Sequence, residues 1–296
     1  MRGSPEEPDV QHNGATHTHE QQLLAEQERE FYDAQYRQFL ELPDADLVCN
    51  RRTLEAGLAD PANPSYERRV VDGAALEYLL SEPLTGRKVL DYGCGTGDWG
   101  LMLAGEGAAV TLLDLSPVAI RLGLRRAAVS GVADRVRGVA RDASDLACFG
   151  DGEFDLIFGS FALHHTLKYP RARDELLRVL KPGGRLVLVE TYGNNPLLNA
   201  ARVLRRRISR EPAGQGEGII LNGSDVDALR PLLGELDVYP FNLLAMGKRL
   251  FRGRFSRRWV RGAVRGLEWM DERLLKAWPA LRRYCGEALI VGRKAG

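Results

Sequence analysis

Between residues 87 and 192 five short apolar runs, KVLDYG, AVTLLDL, RVRGVARD, FDLIFGSF and RLVLVET, alternate with helical stretches or turns. A run that is apolar at successive positions has no face to give to water, so it has to be covered on both sides. Strand after strand with a helix between them meets that requirement in a mostly parallel sheet wrapped by helices. The intervening helices are expected at about 98–106, 116–130 and 170–180, and a later one at 224–234. Two further runs, LDVYPFNLL and EALIVGRK, are expected to complete the sheet, giving a doubly wound α/β architecture of seven strands.

The flanks divide by pattern. Residues 1–19 are polar, carry no periodicity that could bury a face, and are expected to be disordered; the histidines His12, His17 and His19 there are incidental. Helical periodicity then begins, with Leu24, Phe31 and Ala34 on one stripe, and a second helix is expected from Tyr66 to Leu80, so residues 20–85 are expected to form a helical cap. The main domain is then 86–296, with a basic helical insertion at about 246–284 placed near the carboxyl edge of the sheet.

At 296 residues and 44% apolar content the chain can bury a substantial core, and its formal charge of +1 provides no global field to collect nucleic acid or anionic lipid. Any basic patch is therefore local, in RVLRRRISR and KRLFRGRFSRRWVRGAVRG. These segments are taken as solvated faces of amphipathic helices, with Val203, Leu204 and Ile208, or Leu250, Phe251 and Val260, turned inward. The alternative is that they dock a polyanion or an anionic membrane surface. Cys49, Cys94, Cys148 and Cys285 form no CxxC or CxxH pair, so neither a disulfide framework nor a metal site is expected. Without an apolar leader or a long apolar run, the chain is expected to be cytoplasmic.

The chemistry concentrates at the ends of the strands. In VLDYGCGTG an apolar strand runs into Asp91 and then Gly93, Gly95 and Gly97, where missing β-carbons let a ligand approach the backbone. A glycine-rich turn alone is a weak signal. Here Asp114 closes the next strand, 17 residues beyond Gly97, where an acid can accept hydrogen bonds from a ribose, and Asp142 closes the strand after that, where it can accept from an adenine amino group. A nicotinamide enzyme would place a diphosphate on the following helix terminus, but that helix starts with Asp98, which repels a diphosphate and tolerates a ligand without phosphates.

With VLDYGCGTG, LLDLS, RDASDL, FDLIFGSFALHHT and ELLRVLKPGGRLVLVE the sequence resembles the class I S-adenosylmethionine-dependent methyltransferases over about residues 86–192, particularly the small-molecule group with quinone and natural-product enzymes. The resemblance implies that Gly93, Gly95 and Gly97 pass beneath the methionine part of the cofactor, that Asp91 orders its amino group, and that Cys94 offers backbone contacts. It implies that Asp114 holds the ribose, Leu115 flanks the adenine, Asp142 and Ala143 read its edge, and Ser160 offers a carbonyl to the amino group. Acceptor residues do not carry over, because the regions outside that span are only loosely family-like.

Base-methylating enzymes often carry (N/D)PP(Y/F) after the fourth strand; this chain has GSFALHHT, which points to a small-molecule acceptor instead of nucleic acid. His164 and His165 follow the fourth strand at the carboxyl edge, and Glu190 closes the fifth, so one imidazole oriented by Glu190 is a candidate base. The plain alternative is a structural LHH turn with Glu190 capping backbone amides. Tyr32 and Tyr36 lie one turn apart on the first helix and, with Tyr192, are candidate aromatic walls for the acceptor. The expected reaction is methyl transfer to carbon, oxygen or nitrogen of an aromatic or apolar metabolite, with a slight preference for carbon in an electron-rich ring such as an indole. A lipid, glycolipid or nucleic-acid acceptor, or a cofactor-binding adapter that never turns over, are the rival readings.

Overall fold

The computed structural model describes residues 19–166, 171–209 and 220–296. Its seven strands are β1 (Lys88–Tyr92), β2 (Ala109–Asp114), β3 (Val136–Ala140), β4 (Phe154–Ser160), β5 (Leu180–Thr191), β6 (Glu235–Phe241) and β7 (Glu287–Arg293). They form one sheet in the order β3-β2-β1-β4-β5-β7-β6, parallel except that β7 runs antiparallel to both its neighbours. The seven-strand, mostly parallel sheet is the architecture expected from the sequence.

Alternation along each strand divides the core into two layers. Val89, Leu156, Val187 and Leu289 face one layer, while their successors Leu90, Ile157, Leu188 and Ile290 face the other. Because β1 lies between β2 and β4, the chain reverses its direction of winding there, and the cleft outside the carboxyl ends of those strands is where a doubly wound sheet receives ligands.

The helices are α1 (His19–Leu40), α2 (Asp44–Leu47), α3 (Arg51–Ala59), α4 (Arg69–Leu79), α5 (Asp98–Gly105), α6 (Pro117–Val129), α7 (Leu163–Thr166), α8 (Ala172–Val179), α9 (Pro196–Ser209), α10 (Gly223–Asp227) and α11 (Arg258–Ala277). Helix α6 starts where its sequence dictates. Ser116 accepts the Ala119 amide and Pro117 occupies the first turn.

Helix α4, within the 20–85 span expected as the cap, buries Val71, Ala75 and Leu79 in the layer that covers β5 and β7. Two expectations need correction. The helix expected at 224–234 breaks into α10 and a 3-10 turn at Arg230–Leu232, since Pro231 has no amide to continue it. Leu250 and Val203 do not turn inward: they are 82% and 43% exposed, whereas Phe251 is half-buried and Val260 buried. The side chains of Leu204 and Ile208, and the tail 1–18 with His12 and His17, lie outside the described residues.

Candidate active site

The turn after β1 is built for close approach. Gly93 has φ +68° and a β-carbon there would sit 2.4 Å from that of Ala162; Gly95 has φ +53° and a β-carbon would sit 3.1 Å from the Tyr36 hydroxyl. Only glycine meets both the backbone conformation and the clearance. Beside this turn lies a cavity of about 650 Å³, walled by Asp91, Gly93, Cys94, Gly95, Asp114, Leu115, Asp142, Ala143 and Ser160. These nine were named from the sequence, and the structure brings them together. Gly97 was named with them and is not in the wall: it starts α5 with φ +81°, and a β-carbon there would face Gly123 of α6 at 3.5 Å. Its glycine serves the left-handed backbone at the start of the helix.

The acids are held by backbone amides. Asp114 accepts the Gly95 amide on one oxygen (2.8 Å) and the Ser116 amide on the other (2.9 Å). Asp91 accepts the Gly100 amide at 2.9 Å, and Asp142 the Ser144 amide at 2.8 Å. Burial pushes Asp91 up to about 7, with the Gly100 hydrogen bond opposing and the Asp114 charge adding to the rise. Burial also raises Asp114. Tyr92 fixes the loop that carries Ala143, donating to its carbonyl at 2.9 Å and lying 2.8 Å from the Thr166 hydroxyl.

Asp98 also lines the cavity, but it is not a bare charge. Arg126 holds it at 2.7 Å and, against burial, keeps it below the usual carboxylate range. Each nitrogen of Arg126 donates, to Asp98, to the Thr96 carbonyl and to the Leu47 carbonyl. Across the whole wall seven acids face two arginines, Arg68 and Arg126, so the cavity is electrostatically suited to a cation.

Helix α1 closes the cavity with Glu28, Tyr32, Tyr36 and Phe39. It is tied to the sheet domain by Asp33, which hydrogen-bonds the Ser116 hydroxyl at the start of α6. The rings of Tyr32 and Tyr36 stack at 6.1 Å. Burial, with Glu28 and Asp114 nearby, pushes Tyr32 up to about 12, so both phenols stay protonated donors at neutral pH.

The two histidines separate. His165 lines the cavity; its Nε2 is 3.2 Å from the Tyr32 hydroxyl and its Nδ1 is 3.9 Å from Glu28. His164 is outside the wall, with Nδ1 2.7 Å from Glu190. Glu190 is fully buried and its other oxygen accepts the Ala162 and Leu163 amides at 3.1 and 2.7 Å. It therefore orients an imidazole and caps the turn at once, and the imidazole it orients is the one not facing the cavity. The two rings lie 4.1 Å apart. Tyr192 is also elsewhere: it is buried with Leu188 and Leu221, outside the cavity wall. Sequence reasoning missed Glu28 and Asp33; Glu28 was legible as the position one turn before Tyr32 and two before Tyr36.

A second cavity of about 580 Å³ adjoins the first, sharing Asn63, Pro64, Arg68 and Phe161 as wall. The Arg68 guanidinium lies over the Phe161 ring at 4.9 Å, and Phe161 itself has φ 55°. Arg249, Arg252, Phe255 and Ser256, from the segment before α11, form its outer side.

With this geometry in place, comparison with known proteins adds a resemblance. The methyltransferase-domain family matches residues 89–184. A demethylmenaquinone methyltransferase of Clavibacter sepedonicus is 44% identical over 108 residues, 36% of this chain and 42% of that protein. The ubiquinone/menaquinone biosynthesis C-methyltransferase of Azotobacter vinelandii is 41% identical over 114 residues, 38% of this chain and 45% of that one. The chain thus spans less than half the length of these two relatives.

Two solved structures share the fold. Geranyl diphosphate C-methyltransferase of Streptomyces coelicolor superposes with TM-score 0.56 at 17% identity, covering 95% of this chain and 99% of that one. The [4+2]-cyclase SpnF superposes with TM-score 0.50 at 25% identity, covering 77% and 81%. Since one of these carries the name of a cyclase, the reaction has to be argued from the residues of this chain's own cavity.

Proposed function

We propose that the chain is an S-adenosylmethionine-dependent methyltransferase of a small aromatic or apolar acceptor, with carbon in an electron-rich ring such as an indole as the preferred site. The observation that carries this reading is a single cavity that gathers the glycine turn and the strand-end acids Asp91, Asp114 and Asp142 beneath the aromatic lid of α1. The residues fit the cofactor. Gly93 and Gly95 keep the floor clear, each Asp114 oxygen retains a lone pair beyond its backbone amide for a ribose hydroxyl, and the surplus of acids suits a sulfonium and an ammonium.

When bound, S-adenosylmethionine supplies a methyl group already activated for in-line displacement. The protein's contribution is position and exclusion of water. Helix α1 covers the cavity and sets Tyr32 and Tyr36 over it, giving an apolar wall with two donor tips. A ring carbon that gains a methyl must lose a proton, and His165 is the imidazole placed to receive it through Tyr32: the hydroxyl 3.2 Å from Nε2 passes its own proton to that nitrogen as its oxygen takes the ring's, since Nδ1 is buried. Glu190 and His164 form the rigid back of that turn, fixing where His165 stands.

Incubation with methyl-labelled cofactor and a panel of quinols, indoles, phenols, amines and prenyl diphosphates tests this. Label on a ring carbon supports the reading in full. Label only on oxygen or nitrogen overturns the carbon preference, and bound cofactor with no transfer to any acceptor favours the adapter reading.

A further inference from the structure

Three of the chain's four tryptophans are in contact with solvent: Trp259, Trp269 and Trp278 are 59%, 54% and 61% exposed. An indole is costly to leave in water and is enriched where one side is apolar and the other wet. Two of the three lie on α11, whose inner side is settled. Val260 and Val264 pack with Tyr66 and Phe255, Asp271 accepts the amides of Leu243, Leu244 and Ala245, and Glu268 pairs with Arg69 at 2.5 Å.

The outer side is then a distinct surface. Trp259, Gly266, Met270 and Ala277 follow one another at intervals of seven, four and seven residues along a single exposed line, with Trp269 beside them. Arg258, Arg265, Arg273 and Lys276 flank that line, against the single exposed acid Glu272. Arg273 stacks its guanidinium over Trp269 at 4.1 Å. Two of the three acids of this helix, Glu268 and Asp271, are thus engaged with the protein, while Arg258, Arg265, Arg273 and Lys276 are exposed.

We propose that this face docks on an anionic lipid surface, with α11 lying in the interfacial plane and its indoles inserted among the headgroups. The charge argues for that occupant: a second copy meeting the same face would bring four cations against four, while a negative bilayer meets them with opposite charge. The surface is also convex, with a thioether and small residues between the indoles, whereas single-stranded nucleic acid is held in grooves that stack its bases. No described helix is long and apolar enough to cross a membrane, so the contact is peripheral. The segment from Arg249 to Ser256 that walls the second cavity leads directly into α11, so the docking helix and that chamber are joined by the same stretch of chain.

The test is co-sedimentation of the full chain with vesicles of phosphatidylcholine alone or mixed with phosphatidylglycerol, with tryptophan fluorescence followed on the same samples. Binding at least about tenfold tighter to the anionic vesicles, weakened by salt and accompanied by a blue shift, is the expected result. Changing Trp259 and Trp269 together to Ala should remove about tenfold of that affinity while leaving S-adenosylmethionine binding unchanged, which also shows that the variant is folded. Reversing Arg258 and Arg265 to Glu should do the same through charge. Equal partition onto both vesicles, anionic binding indifferent to all of these substitutions, capture of single-stranded RNA in preference to vesicles, or dimerisation through α11 in light scattering would each overturn the proposal. None of these readouts depends on methyl transfer.

Discussion

Asp114→Ala is the perturbation whose size follows most directly from the geometry. In the free protein its carboxylate accepts two backbone amides, from Gly95 and Ser116, so the alanine leaves two buried donors without a partner. Each orphaned amide costs about 1–3 kcal/mol, but the mutation also removes a carboxylate that burial disfavours, so the net loss of stability should be about 1–3 kcal/mol and the fall in Tm a few degrees. The larger effect should be on the ligand. Two charge-assisted hydrogen bonds to ribose hydroxyls are worth roughly 1.5–3 kcal/mol each, so Kd for S-adenosylmethionine and for S-adenosylhomocysteine should both rise by about two to four orders of magnitude. Calorimetric titration of the wild type, Asp114→Ala and the milder Asp114→Asn would read this, with thermal melts confirming that each is folded. An unchanged affinity in a folded Asp114→Ala protein would refute the placement of the ribose.

His165→Ala should lower turnover by about two to four orders of magnitude with cofactor affinity preserved, whereas His164→Ala should act mainly through stability, read as a Tm shift larger than its effect on rate. Glu190→Gln should cost about 1 kcal/mol, since an amide oxygen can still accept the Ala162 and Leu163 amides but no longer offers His164 a charge; denaturant melts check this. Because Asp91 is raised to about 7 in the free protein and a cationic ligand favours its ionised form, affinity should climb with pH and level off above 7, by about tenfold between pH 6 and 8. Asp91→Asn should flatten that profile in calorimetry. For folding alone the sign of the Asp91 contribution is opposite: a carboxyl raised in the native state loses stability as pH rises from about 4 to 7, which the difference in melting between wild type and Asp91→Asn across that window should read.

The sheet was legible because a strand with no polar face can only be central, and the glycine turn because positive φ and a missing β-carbon admit no other residue. Strand order at the far edge was not legible: nothing local to EALIVGRK says that β7 inserts between β5 and β6, which the pairing of whole strands decides. The same holds for α4, whose apolar stripe would serve equally against a lid or a sheet. At the site, alternation does place Leu188, Glu190 and Tyr192 on one side of the chain at the end of β5, but it does not say how far each stands from the cavity, and neither Glu190 nor Tyr192 reaches its wall. His164 and His165 are neighbours whose directions diverge, so only the packed turn could assign one to Glu190 and the other to Tyr32. The outward line of tryptophans on α11 was likewise hidden, since an apolar residue in a periodic segment is ordinarily counted as core.

A crystal structure with S-adenosylhomocysteine tests the central claim most directly. The account predicts the nucleoside in the cavity under α1, both ribose hydroxyls within hydrogen-bond distance of Asp114, and the adenine between Leu115 and the Asp142–Ala143 edge. A ligand bound elsewhere, or one in this cavity with its ribose turned away from Asp114, would contradict it.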